Sequence, residues 1–371
     1  MQMLFPSGLA QGEAFCNRER ERELLHHNVL GIRHTLIISP RRYGKTSLAL
    51  QALKESKQAY AHINFFNALK DEFVAQKFIH GCAVLLNSVL PGSQKALKKL
   101  AALFKHIQIS LEIKEVGITF SLKSPFTDPL QTIRALLEDL ERVLEAEAKT
   151  GVLFLDEFQD ILKTEMNDHL QAELRDFAQQ TRHVVFIISG SHRHMLSKIF
   201  DERNKPFYKL CDRINLERIK TPAYEAFLQH YAKLKWNKAL DQVALTAILS
   251  LTENHPYYVN RLCAKLWSRP QLPDIEEVSA AWHSLSEEEY DSVANDISLL
   301  SKNQRLLLQA IAQKELLIEP NALAFTQNLN MAPSSITQAL QVLVREDFVE
   351  YSGNAYRVLD PLIKYILSKV C

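Results

Sequence analysis

A short loop, residues 39–47, carries side chains suited to binding a polyphosphate and reads Ser-Pro-Arg-Arg-Tyr-Gly-Lys-Thr-Ser. It follows an apolar run and precedes a helical pattern, so backbone N–H groups and the positive end of a helix can surround phosphate groups. The Lys45 ammonium can reach the outer phosphates, and the Thr46 hydroxyl can ligate Mg²⁺. We expect the loop to contact a nucleotide through Pro40, Arg41, Arg42, Tyr43, Gly44, Lys45, Thr46 and Ser47.

Ser39 departs from the usual form of such a loop, G-x-x-x-x-G-K-[ST], which begins with glycine. If the position requires a positive φ, serine costs about 1–2 kcal/mol there, whereas an extended backbone costs little. A G-K-[ST] triplet after an apolar run also occurs by chance in chains that bind no nucleotide. The interpretation therefore needs a second group of residues.

Two acids supply that second group, because Asp156 and Glu157 directly follow the apolar run 151–155. Carboxylates at the end of a buried strand are costly unless they bind something. In phosphoryl transfer, the first acid holds Mg²⁺, often through water, and the second orients and deprotonates the attacking water. We assign these roles to Asp156 and Glu157 in that order, with Lys45 as a further catalytic residue. The alternative is that the acids only cap the strand and its turn.

A third polar segment, Ser189-Gly190-Ser191, ends another apolar run. A small polar side chain there could sense the γ-phosphate or position water, and we choose Ser189, although a plain turn explains the segment nearly as well. His192 and His194 follow, but they lack a third ligand nearby in the sequence, which favours structural or surface histidines over a metal site. A transition state also needs positive charge, for which the candidates are Arg203, Lys205, Lys209 and Arg213.

Five predicted strands must position these residues. Runs 34–39, 151–155 and 184–189 lack the polar alternation of half-exposed strands and predict central strands of a buried parallel sheet. Two more strands are predicted at segments 60–65 and 213–216, and amphipathic helical patterns alternate with the strands. The fold class is therefore α/β, and such a sheet binds its ligand beyond the carboxyl ends of its strands.

The chain divides into three predicted domains. Residues 1–217 form the α/β domain, with a β-hairpin inserted near 107–122, where apolar and polar residues alternate. Residues 218–290 hold successive amphipathic helices, which are typical of a helical lid domain. Residues 291–371 combine three helices with a hairpin turning at 352–354, which is a winged-helix pattern.

The composition is that of an ordinary globular protein, with 371 residues, 47% hydrophobic and 23% charged, and a formal net charge of +1. Global charge therefore indicates no particular partner. The cysteines are scattered, form no C-x-x-C pair and are odd in number, which favours reduced thiols. Because the apolar runs are only strand-length and the N-terminus shows no leader pattern, we expect a cytoplasmic protein without membrane contact.

With these residues in view, the chain resembles the AAA-like P-loop ATPases of the STAND and archaeal-ATPase group, which are related to the archaeal origin-recognition ATPases. The resemblance covers nearly the whole chain. Its strongest parts are the loop 40–48 and Asp156-Glu157-Phe158-Gln159, with a weaker one at Phe207-Tyr208-Lys209. Two further parts are similar to an N-terminal box around Arg18 and to a lid motif at His255-Pro256-Tyr257-Tyr258.

The resemblance implies a parallel-sheet P-loop domain of ASCE/AAA-like type, followed by a helical lid and a C-terminal winged helix. It implies ATP and Mg²⁺ as ligands, with Thr46 and Asp156 holding the metal. It also implies that Arg18 and Pro256 lie near the adenine. On residues alone, His255-Pro256 is only a helix start.

The winged-helix pattern leaves two functions open, because helix 334–345 exposes polar side chains that could bind DNA base edges. Against that reading, segment 297–371 is close to neutral, and duplex binding depends mostly on phosphate contacts. We favour an ATP-hydrolysing switch that couples nucleotide state to a protein partner or to self-association. A nucleotide-gated DNA-binding protein is the alternative, and Glu157 disfavours a scaffold without hydrolysis. The charges are Lys302, Arg305, Lys314, Arg345, Arg357, Lys364 and Lys369 against Glu315, Glu319, Glu346, Asp347, Glu350 and Asp360.

Overall fold

The computed structural model describes residues 4–90, 109–114, 117–122 and 128–369. Residue contacts divide the chain into two compact units. We call Arg18–Glu217 the sheet unit, and Met1–Asn17 together with Arg218–Cys371 the helical unit. Each unit has its own hydrophobic core.

A parallel five-stranded sheet forms the centre of the sheet unit, with strand order β2-β5-β6-β1-β7 and parallel pairing throughout. Strands β1, β5 and β6 are buried along their whole length, as runs without polar alternation predict. The predicted fold class and its five strands are confirmed. The strands of the sheet unit are β1 Thr35–Ile38, β2 Ala59–Asn64, β3 Ile109–Lys114, β4 Gly117–Leu122, β5 Gly151–Asp156, β6 Val184–Gly190 and β7 Asp212–Asn215.

The remaining two strands, β3 and β4, pair with each other and are antiparallel. Their register runs from Ile109 opposite Leu122 to Lys114 opposite Gly117. The pair lies within the stretch for which the sequence predicts an inserted hairpin, although residues 107, 108, 115 and 116 of that stretch are outside the described part of the chain.

Helices alternate with the parallel strands, and local sequence explains where they begin. Helix α4, for example, starts after Asp128, whose Oδ1 accepts a hydrogen bond from the Gln131 backbone N–H at 3.0 Å, and Pro129 occupies its first turn. Its buried residues recur at helical spacing and enter the core. The described helices of the sheet unit are α1 Glu19–Leu30, α2 Lys45–Ser56, α3 Asp71–Val89, α4 Pro129–Ala146, α5 Asn167–Gln180 and α6 Arg193–Asp201.

Phenylalanine rings fill the core where β2 and β5 end. Phe65 directly follows β2, Phe158 lies two residues after β5, and both are fully buried. Their ring centroids are 6.2 Å apart in an edge-to-face arrangement, and Phe158 meets Phe207 in the same way at 5.6 Å. Such pairs stabilise beyond their buried area. The cluster therefore fixes the chain segments that leave the carboxyl edge of the sheet.

Residues 4–17 belong to the helical unit, whereas the sequence placed residues 1–217 in one α/β domain. Phe5 packs against Trp267 with ring centroids 4.8 Å apart. The Tyr231 hydroxyl donates to the Glu13 carbonyl at 2.9 Å. The boundary differs from the sequence-based one because tertiary contacts hold this segment, and no local pattern encodes them.

The helical unit continues with helices and ends in three helices, a hairpin and a last helix, in the order predicted for a winged helix. No helix among the described residues combines the length and the apolar character needed to cross a bilayer. Its described elements are α7 Thr221–Trp236, α8 Gln242–Thr252, α9 Pro256–Trp267, α10 Ile275–Glu288, α11 Tyr290–Ser298, α12 Lys302–Lys314, α13 Leu323–Leu329, α14 Pro333–Arg345, β8 Val349–Ser352, β9 Ala355–Val358 and α15 Pro361–Lys369.

Adjacent phenylalanines test the role of the aromatic cluster. Phe65→Ala removes a fully buried ring and should lower the free energy of unfolding by about 3–5 kcal/mol. Phe66 is 64% exposed, so Phe66→Ala should change it by less than about 0.5 kcal/mol. Urea denaturation followed by circular dichroism measures both variants. Equal losses in the two variants would contradict the described packing.

Candidate functional site

The loop after β1 turns into α2 at Lys45. Arg42, with φ 65°, and Gly44, with φ 88°, both adopt left-handed conformations. Glycine takes this conformation without penalty, which accounts for Gly44 immediately before the helix. Ser39 is buried and is not among the residues with positive φ, so serine in place of the usual glycine strains nothing. The unusual residue is therefore compatible with the loop.

The Lys45 ammonium lies against the loop backbone. Its Nζ donates to the Ser39 carbonyl at 3.2 Å, to Ser39 Oγ at 3.3 Å and to the Pro40 carbonyl at 3.0 Å. Helix α2 starts at Lys45, so the positive end of a 12-residue helix lies at the same loop. Arg41 and Arg42 are exposed and add positive charge. The other expected phosphate-binding residues, Pro40, Tyr43 and Ser47, are buried.

Asp156, at the end of β5, is the carboxylate to which the loop is joined. Thr46 Oγ1 donates to Asp156 Oδ2 at 2.8 Å. Oδ1 accepts hydrogen bonds from the Ser189 hydroxyl and, at 3.1 Å, from the Glu157 backbone N–H. The structure thus brings together Thr46, Asp156 and Ser189, which lie far apart in the sequence.

The electrostatics of Asp156 follow from its burial and its donors. The residue is only 2% exposed, and burial alone would raise the pKa of its carboxyl. Hydrogen bonds from His62, Ser189 and Thr46 outweigh burial and hold the pKa below its ordinary value. Asp156 is therefore an anion at neutral pH, which suits a ligand of Mg²⁺.

His62 of β2 is a site residue that sequence reasoning missed. Its Nε2 lies 3.2 Å from Asp156 Oδ2, and its ring stacks on Phe154 with centroids 4.7 Å apart. The two residues come together because β2 lies beside β5, with His62 opposite Phe154 in the register. The available signal was a polar residue near the end of a predicted strand, but its partner depends on strand order.

Glu157 adopts a left-handed conformation, with φ 52°, which turns the chain out of β5. Its Oε2 accepts hydrogen bonds from Gln159 Nε2 at 2.6 Å and from Ser191 Oγ at 2.8 Å. The Ser191 backbone N–H also approaches Oε2, at 3.3 Å. Gln159 lies in the acidic segment 156–159, and Ser191 lies in the polar segment 189–191. The sequence alone gave neither residue a role.

Arg41 and His192 connect the loop with the segment after β6. Arg41 Nη2 lies 2.6 Å from His192 Nε2. His192 therefore contacts an arginine of the loop, and His194 is exposed. Within the part of the chain that the structure describes, no three His, Cys, Asp or Glu residues are grouped as a metal site would require.

Two further predicted residues, Arg18 and Pro256, make no described hydrogen bond to this group. Arg18, which precedes α1, is buried and donates to the Glu217 carbonyl and, at 3.1 Å, to Glu21 Oε1. Pro256 is the first residue of α9 in the helical unit. Their place near an adenine stays a prediction.

The four basic candidates after β6 have different surroundings. Arg213 forms an ion pair with Asp201, and Lys205 Nζ lies 3.6 Å from Asp168 Oδ1. Arg203 and Lys209 are exposed. Which of them stabilises a transition state stays open between these four.

The geometry fits a triphosphate with Mg²⁺. Nothing lies within 4 Å of the Cβ position of Gly44, so the backbone there can be approached closely. Two groups beside the loop could ligate a metal, the Thr46 hydroxyl and the Asp156 carboxylate. Their oxygen atoms are hard ligands of the kind that Mg²⁺ prefers. Lys45 and the start of α2 supply positive charge beside them. Groups that could bind an anion and groups that could bind a metal therefore adjoin at the carboxyl edge of the sheet.

Comparison with known proteins agrees with this fold. A family model described as a probable winged helix domain matches residues 288–369. The Walker-type ATPase of Pyrococcus abyssi superposes with a TM-score of 0.72 at 16% identity, over 98% of this chain and 99% of that one. For the ORC2 protein of Aeropyrum pernix in its ADPNP–ADP complexes, the TM-score is 0.60 at 17% identity, over 97% of this chain and 95% of that one. No curated protein matches the sequence.

The chain therefore has the parallel-sheet P-loop fold of these archaeal ATPases and carries a winged helix toward its C-terminus. The resemblance drawn from the loop and the acidic pair is confirmed at the level of the fold. At these identities the likeness concerns architecture, and activity must be argued from the residues of the site.

Removing one donor from Asp156 tests how the site is held. Ser189→Ala takes a hydroxyl from a buried carboxylate and should lower the free energy of unfolding by about 1–3 kcal/mol. The matched control is Ser88→Ala, because Ser88 is exposed and its hydroxyl donates to the Leu85 carbonyl of its own helix. Chemical denaturation measures the free energy of unfolding of both variants. Equal values for the two variants would contradict the assignment of Ser189 as a hydrogen-bond donor to Asp156.

Proposed function

We propose that this protein is a Mg²⁺-dependent ATPase that works as a STAND-type, AAA-like switch. The observation that carries the proposal is the 2.8 Å contact between Thr46 Oγ1 and Asp156 Oδ2. It joins the phosphate-binding loop to the acidic end of β5, where a metal-bound triphosphate needs both. The fold that the chain shares with the archaeal ATPases supports the same reading.

The residues divide the work of phosphoryl transfer between them. Lys45 and the backbone at the start of α2 would bind the phosphates, and Thr46 with Asp156 would hold the metal. When bound, Mg²⁺ supplies neutralisation of phosphate charge. Glu157 would orient and deprotonate water, and Ser189 would keep the Asp156 carboxylate in place. Positioning and electrostatics are the main contributions a protein makes to this reaction.

The winged helix supports coupling to a protein partner or to self-association better than coupling to DNA. Three of its cations are engaged in ion pairs: Arg345 pairs with Glu346, Arg357 with Glu350, and Lys364 with Glu253. These pairs reduce the positive charge available to the phosphates of a duplex, on a segment that is already close to neutral. In the same region Leu316, Ile318 and Leu323 are between 55% and 72% exposed, as apolar contacts with a protein would require.

DNA binding is the second candidate, because α14 occupies the position of a recognition helix and exposes polar side chains. They are Ser334, Thr337, Gln338 and Gln341. If the duplex is the partner, a gel shift will appear that weakens steeply with salt and disappears in Gln338→Ala/Gln341→Ala. We expect no such salt-sensitive shift from the wild-type protein. A shift that the double variant abolishes would replace our proposal for the partner and leave the ATPase proposal standing.

Two substitutions separate binding from turnover. Lys45→Ala removes the charge that meets the outer phosphates and should abolish ATP binding at micromolar concentrations. Glu157→Gln keeps the shape of the base without its basicity, so ATP binding should persist while turnover falls by roughly 100-fold or more. Calorimetry measures binding, and phosphate release measures turnover.

The control is Lys54→Ala, because Lys54 is an exposed residue in the last turn of α2. This variant should bind and hydrolyse ATP like the wild type. Equal turnover in the wild-type, Lys45→Ala and Glu157→Gln proteins would refute the assignment of the site.

A further inference from the structure

Three hydrogen bonds hold one oxygen of the Glu157 carboxylate. Oε2 accepts from Gln159 Nε2 at 2.6 Å, from Ser191 Oγ at 2.8 Å and from Ser191 N at 3.3 Å. The donors come from two separate elements, the 3₁₀ helix Phe158–Lys163 and the residue after β6. Because they converge from different directions, they fix the orientation of the carboxylate as well as its place.

The backbone on both sides accommodates this arrangement. The left-handed conformation of Glu157, with φ 52°, is uncommon for a residue of its type and brings the chain into the 3₁₀ helix that carries Gln159. On the neighbouring strand β6, Gly190 leaves room for the Gln159 side chain. A Cβ at position 190 would lie 2.0 Å from Gln159 Oε1, which no real contact tolerates. The observed position of the glutamine amide beside Glu157 therefore uses the space left by the missing side chain of residue 190.

The Gln159 amide has little other use. The residue is 2% exposed, and its Oε1 finds no hydrogen-bond partner among the described residues. A buried acceptor without a partner is destabilising, and an apolar side chain of similar size would avoid that loss. What the amide offers at this position is the bond from Nε2 to Glu157. A residue that costs stability in this way is typical of a position that orients a functional side chain.

We propose that Gln159 and Ser191 are positioning residues that orient Glu157 for the activation of water, an inference that rests on the proposed hydrolysis. With Oε2 held, Oε1 takes the proton. The water O–H bond breaks, the water oxygen bonds to the γ-phosphorus, and the bond from that phosphorus to the bridging oxygen breaks. ADP leaves with the bridging oxygen, and the proton stays on Oε1.

Gln159→Met tests the inference, because methionine keeps the volume and removes the N–H donor. We expect kcat to fall roughly 10- to 100-fold, the size of a misplaced catalytic group. The KM for ATP and the calorimetric affinity for ATP should stay within about twofold of wild type, since no phosphate contact is lost. Ser191→Ala should lower kcat as well, and Ser191→Thr, which restores the hydroxyl, should recover most of it.

A second comparison asks whether the effect passes through Glu157. In the Glu157→Gln background, adding Gln159→Met should leave the residual turnover unchanged, because residues that act as a unit are not additive. The matched control is Gln171→Met, another buried glutamine, whose amide donates to Asn167 Oδ1 within α5. This variant should keep wild-type kcat.

The outcomes separate the two proposals. If the wild type hydrolyses ATP and Gln159→Met keeps its kcat or raises it, the positioning role is wrong and the ATPase proposal stands. If Gln159→Met weakens ATP binding in proportion to kcat, its role is structural and the inference is also wrong. If the wild-type protein binds ATP and shows no turnover, both proposals fall together.

Discussion

The buried carboxylate of Asp156 is the constraint on which the rest of the sheet unit depends. A charge at 2% exposure is tolerable only when donors surround it. Those donors come from three elements besides its own strand: Thr46 of α2, His62 of β2 and Ser189 of β6. Satisfying this one group therefore requires the strand order β2-β5-β6 and the close approach of the loop. The fold and the proposed function share the same requirement.

Much of this arrangement was predictable from local patterns. Apolar runs without alternation predicted the three central strands, and two further segments predicted the other two. The loop and the acidic pair were recognisable because their residue types have separate tasks in binding a metal-bound phosphate. Strand ends in a parallel sheet share one edge, so the approach of Thr46 to Asp156 followed from the fold class. The sequence could not show whether the backbone at Ser39, which replaces the usual glycine, has a positive φ. Ser39 is not among the residues with positive φ.

The parts that the sequence did not predict depend on neighbours distant in the chain. His62 meets Asp156 because β2 lies beside β5, and apolar runs carry no information on strand order. Gln159 contacts Glu157 in the space that Gly190, on the neighbouring strand β6, leaves open. The segment 4–17 belongs to the helical unit through contacts such as Phe5 with Trp267. In each case two locally unremarkable residues acquire a role only when the fold brings them together.

We propose that a triphosphate with Mg²⁺ occupies the space between the loop 40–46 and Asp156. A crystal structure of the protein with Mg²⁺ and a nonhydrolysable ATP analogue tests it most directly. We predict phosphate oxygens within hydrogen-bond distance of the loop N–H groups and the Lys45 ammonium, and a metal ion bonded to Thr46 Oγ1. Nucleotide phosphates bound elsewhere on the chain, with the 2.8 Å contact between Thr46 and Asp156 unchanged, would contradict the account.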